Sequence, residues 1–383
     1  MPAVVWANEP VDRCADMRLD EAVAPRIGYA LTQLKAEGTA IPDSRVSMQP
    51  RLAGLRGPNV TFIGRSVRQA VMRGQASPQE LWQGARWNNA DIKCSHATYA
   101  LPFTQRFMWK TTFENSLGLT TYYPRVLARS RLLVAGLMTQ PFGFTVGASA
   151  AIPLYTNTET LMHIADPRPP VRRDIDDFDN GISAENLFLS WHATPLTDLH
   201  IGITGGLLEG MYGGYGAEFV YRPYGSPFWV GGDGWKVWRR DPDSTAAMKL
   251  TDGSRFTGQV RVGYDMPDTR FSTSLAAGRY LGGDKGATLK LSQGFGEASR
   301  IEASVTWSGR EEVIGFTHNA HFAPIFRIVV PLGTMGGGHH SIDTSIRQVG
   351  RDSGQALERP TPIESMTEVF SAREIARHWP DLF

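Results

Sequence analysis

The sequence predicts a mainly β protein, a transmembrane antiparallel β-barrel of about 12 strands preceded by a small α/β domain. Three observations carry that expectation. From about Thr104 onward apolar and polar residues alternate with a period of two. The alternating segments run to about 10 residues, which a tilted strand needs to cross a bilayer, whereas soluble strands average about 5 or 6. Glycine makes up 40 of 383 residues, above the usual share of roughly 7%, and it concentrates after residue 135 beside Tyr, Trp and Phe.

Bulk properties remove several alternatives. Charged residues are 20% of the chain and hydrophobic ones 42%, with a mean hydropathy of −0.24, which excludes a disordered chain and a helical membrane protein. Barrel strands average to near-neutral hydropathy, so a membrane barrel stays open. A net charge of +1 gives no reason to expect nucleic acid as a partner. Cys14 and Cys94 are two thiols or one disulfide of an oxidising compartment. The opening MPAVVWANEP has neither a basic n-region nor an apolar h-region, as a truncated chain or a misplaced start codon would produce.

Residues 1–100 read as a soluble α/β module, expected in the periplasm. Asp20–Glu37 has helical spacing with Pro25 in its first turn, and Val60–Ile63 is a short apolar strand. Arg65–Arg73 returns to helical spacing. Ser77, Pro78 and Glu80 supply a cap, a first-turn proline and a capping-box acid for a further helix. Residues 101–128 form a connecting strand or linker, and the strand at 104–116 fits either a plug or the barrel seam.

The barrel is expected over 129–350. Its strands are 129–139, 142–152, 184–194, 199–208, 212–222, 228–238, 255–265, 270–280, 287–293, 299–308, 322–332 and 340–350. Breaks near 140–141, 195–198, 223–227, 266–269, 294–298 and 333–339 are short. Of the intervening breaks, those at 153–183, 239–254 and 309–321 are long and those at 209–211 and 281–286 are not, broadly the pattern of periplasmic turns and outer loops. An even strand count puts both termini in the periplasm, and the tail 351–383 is expected to leave the barrel there, with a short helix over Ala372–His378. Tyr212, Tyr221, Tyr224, Phe228, Trp229, Trp238, Tyr264, Phe271 and Tyr280 sit near strand ends, as an interfacial girdle requires.

Side-chain parity assigns faces. In 255–265, Phe256, Val260, Val262 and Tyr264 share one face, and Arg255, Thr257, Gln259 and Arg261 the other. In 212–222, Tyr212, Glu218, Val220 and Arg222 suit a lumen, and Tyr215, Phe219 and Tyr221 suit lipid. A hairpin symmetric about Gly296 sets Lys290 opposite Glu302 and Ser292 opposite Arg300 on the lumen face, with Leu289 and Ile301 outside.

Four stretches in order are PPVRRDI at 169–175, GGLLEGMYGGYGAEFVYRPYGSPFWVGGD at 205–233, GRYLGGDKGATLKLSQGF at 278–295 and GRDSGQALERP at 350–360. Together with SPQELWQGAR at 77–86 they resemble the YjbH family of exopolysaccharide-associated outer-membrane proteins. Family members are usually about twice this length, with an earlier barrel and a signal peptide, so the chain resembles the C-terminal half. The resemblance implies an outer-membrane barrel that helps export or assemble an extracellular polysaccharide. Its partners would be that polymer, outer-membrane lipid and other exopolysaccharide-export proteins.

The chemistry-bearing residues point the same way. No nucleophile–base constellation and no spaced carboxylate pair is visible, so no catalytic residue, metal ligand or cofactor is expected. Glu209, at a tight break, reads first as a turn carboxylate accepting backbone N–H bonds. The acid run Asp174, Asp176, Asp177 and Asp179 reads as a solvated loop, and Arg351 with Asp352 as a salt bridge to the barrel wall. The expected lumen-facing, polysaccharide-facing set is Glu209, Tyr212, Glu218, Arg222, Gln259, Arg261, Lys290, Arg300 and Glu302. Two rival functions stay open: an enzyme acting on surface glycans or lipids from a lumenal site, and a general diffusion porin. A lumen packed with side chains would favour a scaffold, and a wide one a porin.

Overall fold

The structure, a computed structural model, describes residues 11–17, 45–63, 65–66, 83–88, 98–99, 106–119, 126–160, 167–179, 181–295, 299–310, 313–314, 317–318, 321–335, 338–348 and 351–378. The expected helix over Asp20–Glu37 and the start signal at Ser77 lie outside these residues, as does Cys94.

The front part is a sheet of β1 (Val11–Met17), β2 (Arg45–Leu52), β3 (Leu55–Arg56), β4 (Asn59–Ile63), β5 (Arg86–Asn88) and β6 (Thr98–Tyr99). The spatial order is β5-β4-β2-β1-β6, with β3 folded back on β2. β1 runs parallel to β2 and β6, and the other pairs are antiparallel. Val60 and Phe62 alternate into its core, as the apolar run predicts.

The main body is a closed barrel. Its wall strands are β7 (Phe107–Leu119), β8 (Val126–Thr139), β9 (Phe144–Thr156), β10 (Ser183–Leu196), β11 (Leu199–Leu207), β12 (Tyr212–Tyr221) and β13 (Phe228–Arg240). They continue through β14 (Leu250–Asp265), β15 (Phe271–Arg279), β16 (Lys285–Phe295) and β17 (Ser299–Ser308). A small hairpin, β18 (Val313–Ile314) and β19 (Thr317–His318), stands off the wall before β20 (Phe322–Met335) and β21 (Gly338–Gln348) complete it. Each of the twelve segments read from the sequence is a wall strand.

The wall has thirteen strands, one more than the twelve segments, because β7 joins it at the seam. β7 pairs antiparallel with β8 over thirteen residues and parallel with β21 from His339↔Lys110 to Gln348↔Leu119. The barrel is therefore mixed, not wholly antiparallel. With an odd number of alternating strands the first and last point the same way, so closure has to be parallel. It follows that β7 starts at the mouth bearing the short turns and β21 ends at the mouth bearing the long loops.

Alternation builds an apolar exterior around a polar interior. On β14, Val260 is 59% exposed while its neighbour Gln259 is 7% exposed. Tyr215, Phe219, Tyr221, Phe256, Leu289, Leu291 and Trp307 continue the outer belt. Tyr212, Trp229 and Tyr280 depart from the expected girdle and are buried inside the barrel. Parity decides this, since Trp229 lies between outward Phe228 and Val230.

The β16–β17 hairpin keeps the expected faces but not the expected register. Lys290 pairs with Ser304, and Ser292 with Glu302, two residues away from symmetry about Gly296. A shift of two preserves parity, so the face pattern could not resolve it. The ladder runs on to Phe295↔Ser299 and so centres on 297. Lys290 Nζ still reaches Glu302 Oε1 at 2.8 Å, along a diagonal.

The tail does not leave the barrel. Starting at the long-loop mouth, residues 351–378 run back through the lumen and carry two short helices, α1 (Ile363–Glu368) and the expected α2 (Ala372–His378). Even parity had placed the end of the wall at the short-turn mouth; the thirteenth strand moves it to the other.

Aromatic rings inside the wall lie over cross-strand glycines, Trp235 over Gly216, Trp229 over Gly263 and Phe188 over Gly147. A Cβ on Gly216 would stand 2.4 Å from the Trp235 ring. Gly216→Ala is expected to destabilise the barrel by about 1–3 kcal/mol. Gly205→Ala, whose methyl would meet Tyr215 Cβ at an ordinary 3.5 Å, is expected to cost far less. Denaturant unfolding followed by the gel mobility of the folded barrel checks the difference.

Candidate functional site: a lumen threaded by the tail

Each mouth carries an apolar cluster. At the long-loop mouth, Val171, Ile175 and Phe178 of the 157–182 loop fold inward onto Tyr212, Trp235 and Val237 of the wall, and Leu357 of the tail packs against them. At the short-turn mouth, Leu52 and Leu55 of the front sheet meet Val220 and Trp229 of the wall and Ile363, Met366 and Phe370 of the tail. The tip of that front hairpin needs glycine. Gly54 has φ +88°, and a Cβ there would lie 2.4 Å from Gly143 Cα and 2.5 Å from the His192 carbonyl. Arg56 fastens the hairpin to β10 by donating its backbone N–H to Thr194 Oγ1 at 2.9 Å.

Between the two clusters the contacts are ionic. Asp352 accepts the backbone N–H groups of Val171, Arg172 and Arg173 on one oxygen at 2.9, 2.9 and 3.0 Å. Its other oxygen takes Arg173 and Arg310 at 3.2 and 3.3 Å. Asp352 thus pairs with the inward-folded loop, which holds the start of the tail under the lid. Asp284, in the turn Gly282–Gly286, accepts the Gly354 N–H at 2.8 Å.

Glu209 takes two bonds from Arg172, at 2.8 and 2.7 Å, and the Glu358 N–H at 2.7 Å. Its backbone-accepting role is as expected; the arginine comes from a loop that sequence spacing could not bring near. Burial pushes the Glu209 carboxyl up to about 7 against the pull of Arg172. Burial works against the charge on Arg172 as well, but Glu209 and Glu358 hold its guanidinium above the usual range. Beneath them Arg240, fully buried, donates to the carbonyls of Glu209 and Ala184 at 2.7 Å each.

Deeper, Glu218 accepts Arg359 at 2.6 Å and the Ile363 N–H at 3.2 Å. Arg359 also pairs with Glu364, and Asp233 lies 3.8 Å away. Asp233 pairs with Arg261, whose second nitrogen donates to Gln259 at 2.8 Å. Asp265 pairs with Arg222, and Arg373 stands 3.7 Å from it. The acid run is not a solvated loop either. Asp179 is buried against Arg129 and Thr158, and Asp174 pairs with Arg239, so the run anchors the lid to the wall.

The tail leans on β11–β14. Beside it, between the tail and β14–β17, lies a polar cavity of about 400 Å³. There Lys290, Arg300 and Arg327 approach the single carboxylate of Glu302 at 2.8, 3.3 and 3.7 Å. Arg327 also holds Asp343. Further round the wall Arg131 spans Glu114 and Glu185 at 2.8 and 2.9 Å.

The nine residues singled out from the sequence all lie on the inner side, but in two groups. Glu209, Tyr212, Glu218, Arg222, Gln259 and Arg261 belong to the clasp around the tail and lid. Lys290, Arg300 and Glu302 face the cavity. Sequence reading missed the other halves of the clasp, Arg172, Asp265 and Arg359, and gave Asp352 the wall as partner where it holds the 171–173 segment. Arg172, Asp352 and Arg359 lie inside the motifs PPVRRDI and GRDSGQALERP, and those two motifs meet at Asp352.

Comparison with known proteins follows the same lines. A family model described as exopolysaccharide biosynthesis protein YbjH matches residues 72–368. An uncharacterised lipoprotein YjbH of Escherichia coli K12 is 31% identical over 220 residues, which is 56% of this chain and 30% of that protein. The chain thus spans about a third of the length of that relative. Among solved structures, Salmonella typhi OmpF in complex with daunomycin aligns over 66% of this chain and 93% of its own, at 10% identity and a TM-score of 0.33, a likeness that carries no argument.

Removing Arg359 leaves Glu218 and Glu364 buried without their cation, which typically costs about 3–5 kcal/mol. In a Cys14→Ser/Cys94→Ser background, a cysteine placed at Leu357 is expected to react slowly with a bulky maleimide. Adding Arg359→Ala is expected to speed that reaction by roughly tenfold or more, as the tail loosens. Equal rates in the two proteins would mean that the clasp does not hold the tail.

Proposed function

The chain belongs to the YjbH family of exopolysaccharide biosynthesis proteins, and on that premise we propose that it is an outer-membrane barrel serving polysaccharide export or assembly without catalysing a reaction. One observation carries the placement: a closed barrel wears a continuous apolar belt outside and buries its charges inside. In water such a belt would be an aggregation surface, whereas in a bilayer it is the lipid-facing band. The front sheet then stands in the periplasm with the short turns, and outer-membrane lipid contacts the belt.

The tail supports a gated or scaffolding role over a diffusion porin. Two apolar clusters and a run of buried ion pairs fill much of the lumen that a porin would keep open. The lumenal acids Glu209 and Glu218 support non-catalysis, because each is engaged by an arginine and a backbone N–H. The front sheet and the cavity offer surfaces to the polymer and to other export proteins.

Deleting the gene and measuring secreted polysaccharide tests the role. Secretion is expected to fall and to return with the full-length gene; unchanged secretion would sink it. The gating reading has its own measurement. In planar bilayers the intact protein is expected to pass little current, and Arg359→Ala to raise it severalfold by loosening the tail. A large, steady conductance from the intact protein would favour the porin.

A further inference from the structure

We propose that the open side of the lumen is a binding site for an anionic sugar chain, such as a stretch of uronates, which enters from the short-turn mouth. The proposal rests on the exopolysaccharide reading above and names the class of ligand that the cavity suits.

Charge balance is the first argument. Of the eight Arg and Lys side chains that line the cavity, Arg222, Arg261, Arg359, Arg373 and Arg377 are paired with carboxylates of the wall or tail, which leaves Arg270, Lys290 and Arg300 against the one carboxylate of Glu302 among the described residues. The tail side of the lumen matches its charges in pairs, but this side does not. Three cations converge on Glu302, which is only 8% exposed in its side chain. Lys290, Arg300 and Arg327 keep 45%, 42% and 42% of theirs open. One buried carboxylate cannot neutralise three cations, and Asp343 answers only for Arg327. Arg270, at the mouth, has no carboxylate within ion-pairing distance among the described residues and sits beside Gly294.

Arrangement is the second argument. Arg270 and Arg300 stand at the short-turn mouth, where Arg270 accepts the Gly294 N–H on its carbonyl and Gly294 pairs with Arg300. Lys290 is rooted four residues further in along β16, about 13 Å at the rise of a strand, and its Nζ reaches back to the same Glu302 oxygen that Arg300 approaches. The charged ends therefore form one cluster, with Arg270 on its mouth side. Around them the wall presents hydroxyls: Ser272 pairs with Ser292, and Ser274 with Lys290, across neighbouring strands. A cationic cluster set among small hydroxyls suits a chain that carries carboxylates with hydroxyls between them. The volume of about 400 Å³ is within the range of small-ligand sites.

Calorimetric titration of the whole chain in detergent tests this with three probes: tetragalacturonate, galacturonate and maltotetraose. Tetragalacturonate is expected to bind, more weakly at high salt. Maltotetraose and the monomer are expected to bind roughly tenfold more weakly or less. Lys290→Gln/Arg300→Gln leaves Glu302 with Arg327 and is expected to lower the tetramer's affinity by about tenfold or more. The gel mobility of the folded barrel confirms that the variant folds. Equal binding of maltotetraose would show that charge does not select the ligand, and equal binding of the monomer would reduce the site to a simple anion site. No binding, or unchanged affinity in the variant, would remove the site. Each of these outcomes sinks the site while leaving the export role standing if gene deletion still abolishes secretion.

Discussion

Parity governs this structure. Thirteen alternating strands cannot close as a purely antiparallel ring, so β7 and β21 meet in parallel and the two ends of the wall lie at opposite mouths. The front sheet therefore enters at one mouth and the tail begins at the other. The described tail comes back to the front sheet through the interior, where Phe370 and Leu55 share a cluster. An even barrel would have released both ends at the same mouth. Lid, tail and front hairpin become mutual supports because the wall ends where it does.

Threading a polar segment through a barrel has an electrostatic requirement. Every buried charge must find a partner, since an uncompensated one costs several kcal/mol. The wall meets this with fixed carboxylates on β12–β14 and in the adjacent turns, and the tail and lid with arginines. Arg172 and Arg359 are suited to it because a guanidinium can serve two acceptors at once; Arg359 joins Glu218 to Glu364. Such pairs add little net stability over apolar packing, but they are intolerant of misplacement. They accordingly specify where the tail lies more than how firmly the barrel folds.

Much of the wall was legible because its signal is local. Period-two alternation gave the twelve segments and the inner face of each, down to Glu218 and Gln259 inside and Phe219 and Val260 outside. The errors arose where a local pattern is silent. Parity cannot distinguish registers two apart, so Lys290 was set opposite Glu302 and not Ser304. Alternation at 104–116 fits a plug and the seam alike, and only closure of the whole ring selects the seam, with β21 more than 200 residues away as its second neighbour. The partners of Glu209 and Glu218 were hidden for the same reason. Arg172 and Arg359 lie in segments without periodicity, whose positions follow from closure of the whole ring.

The asymmetry of the lumen follows from the same placement of charges. The tail could in principle lie against either half of the wall. One half offers it Glu209, Glu218, Asp233 and Asp265; the other offers Lys290, Arg300 and Arg327 around Glu302. A segment whose anchoring side chains are Arg359 and Arg373 is drawn to the first and repelled by the second. In a lumen of low effective dielectric that preference is far stronger than it would be in water. The side left open is therefore the side whose charge the tail cannot satisfy. Among the described residues its cations keep their exposure because too few carboxylates face them, so that part of the lumen is electrostatically suited to a ligand of opposite sign.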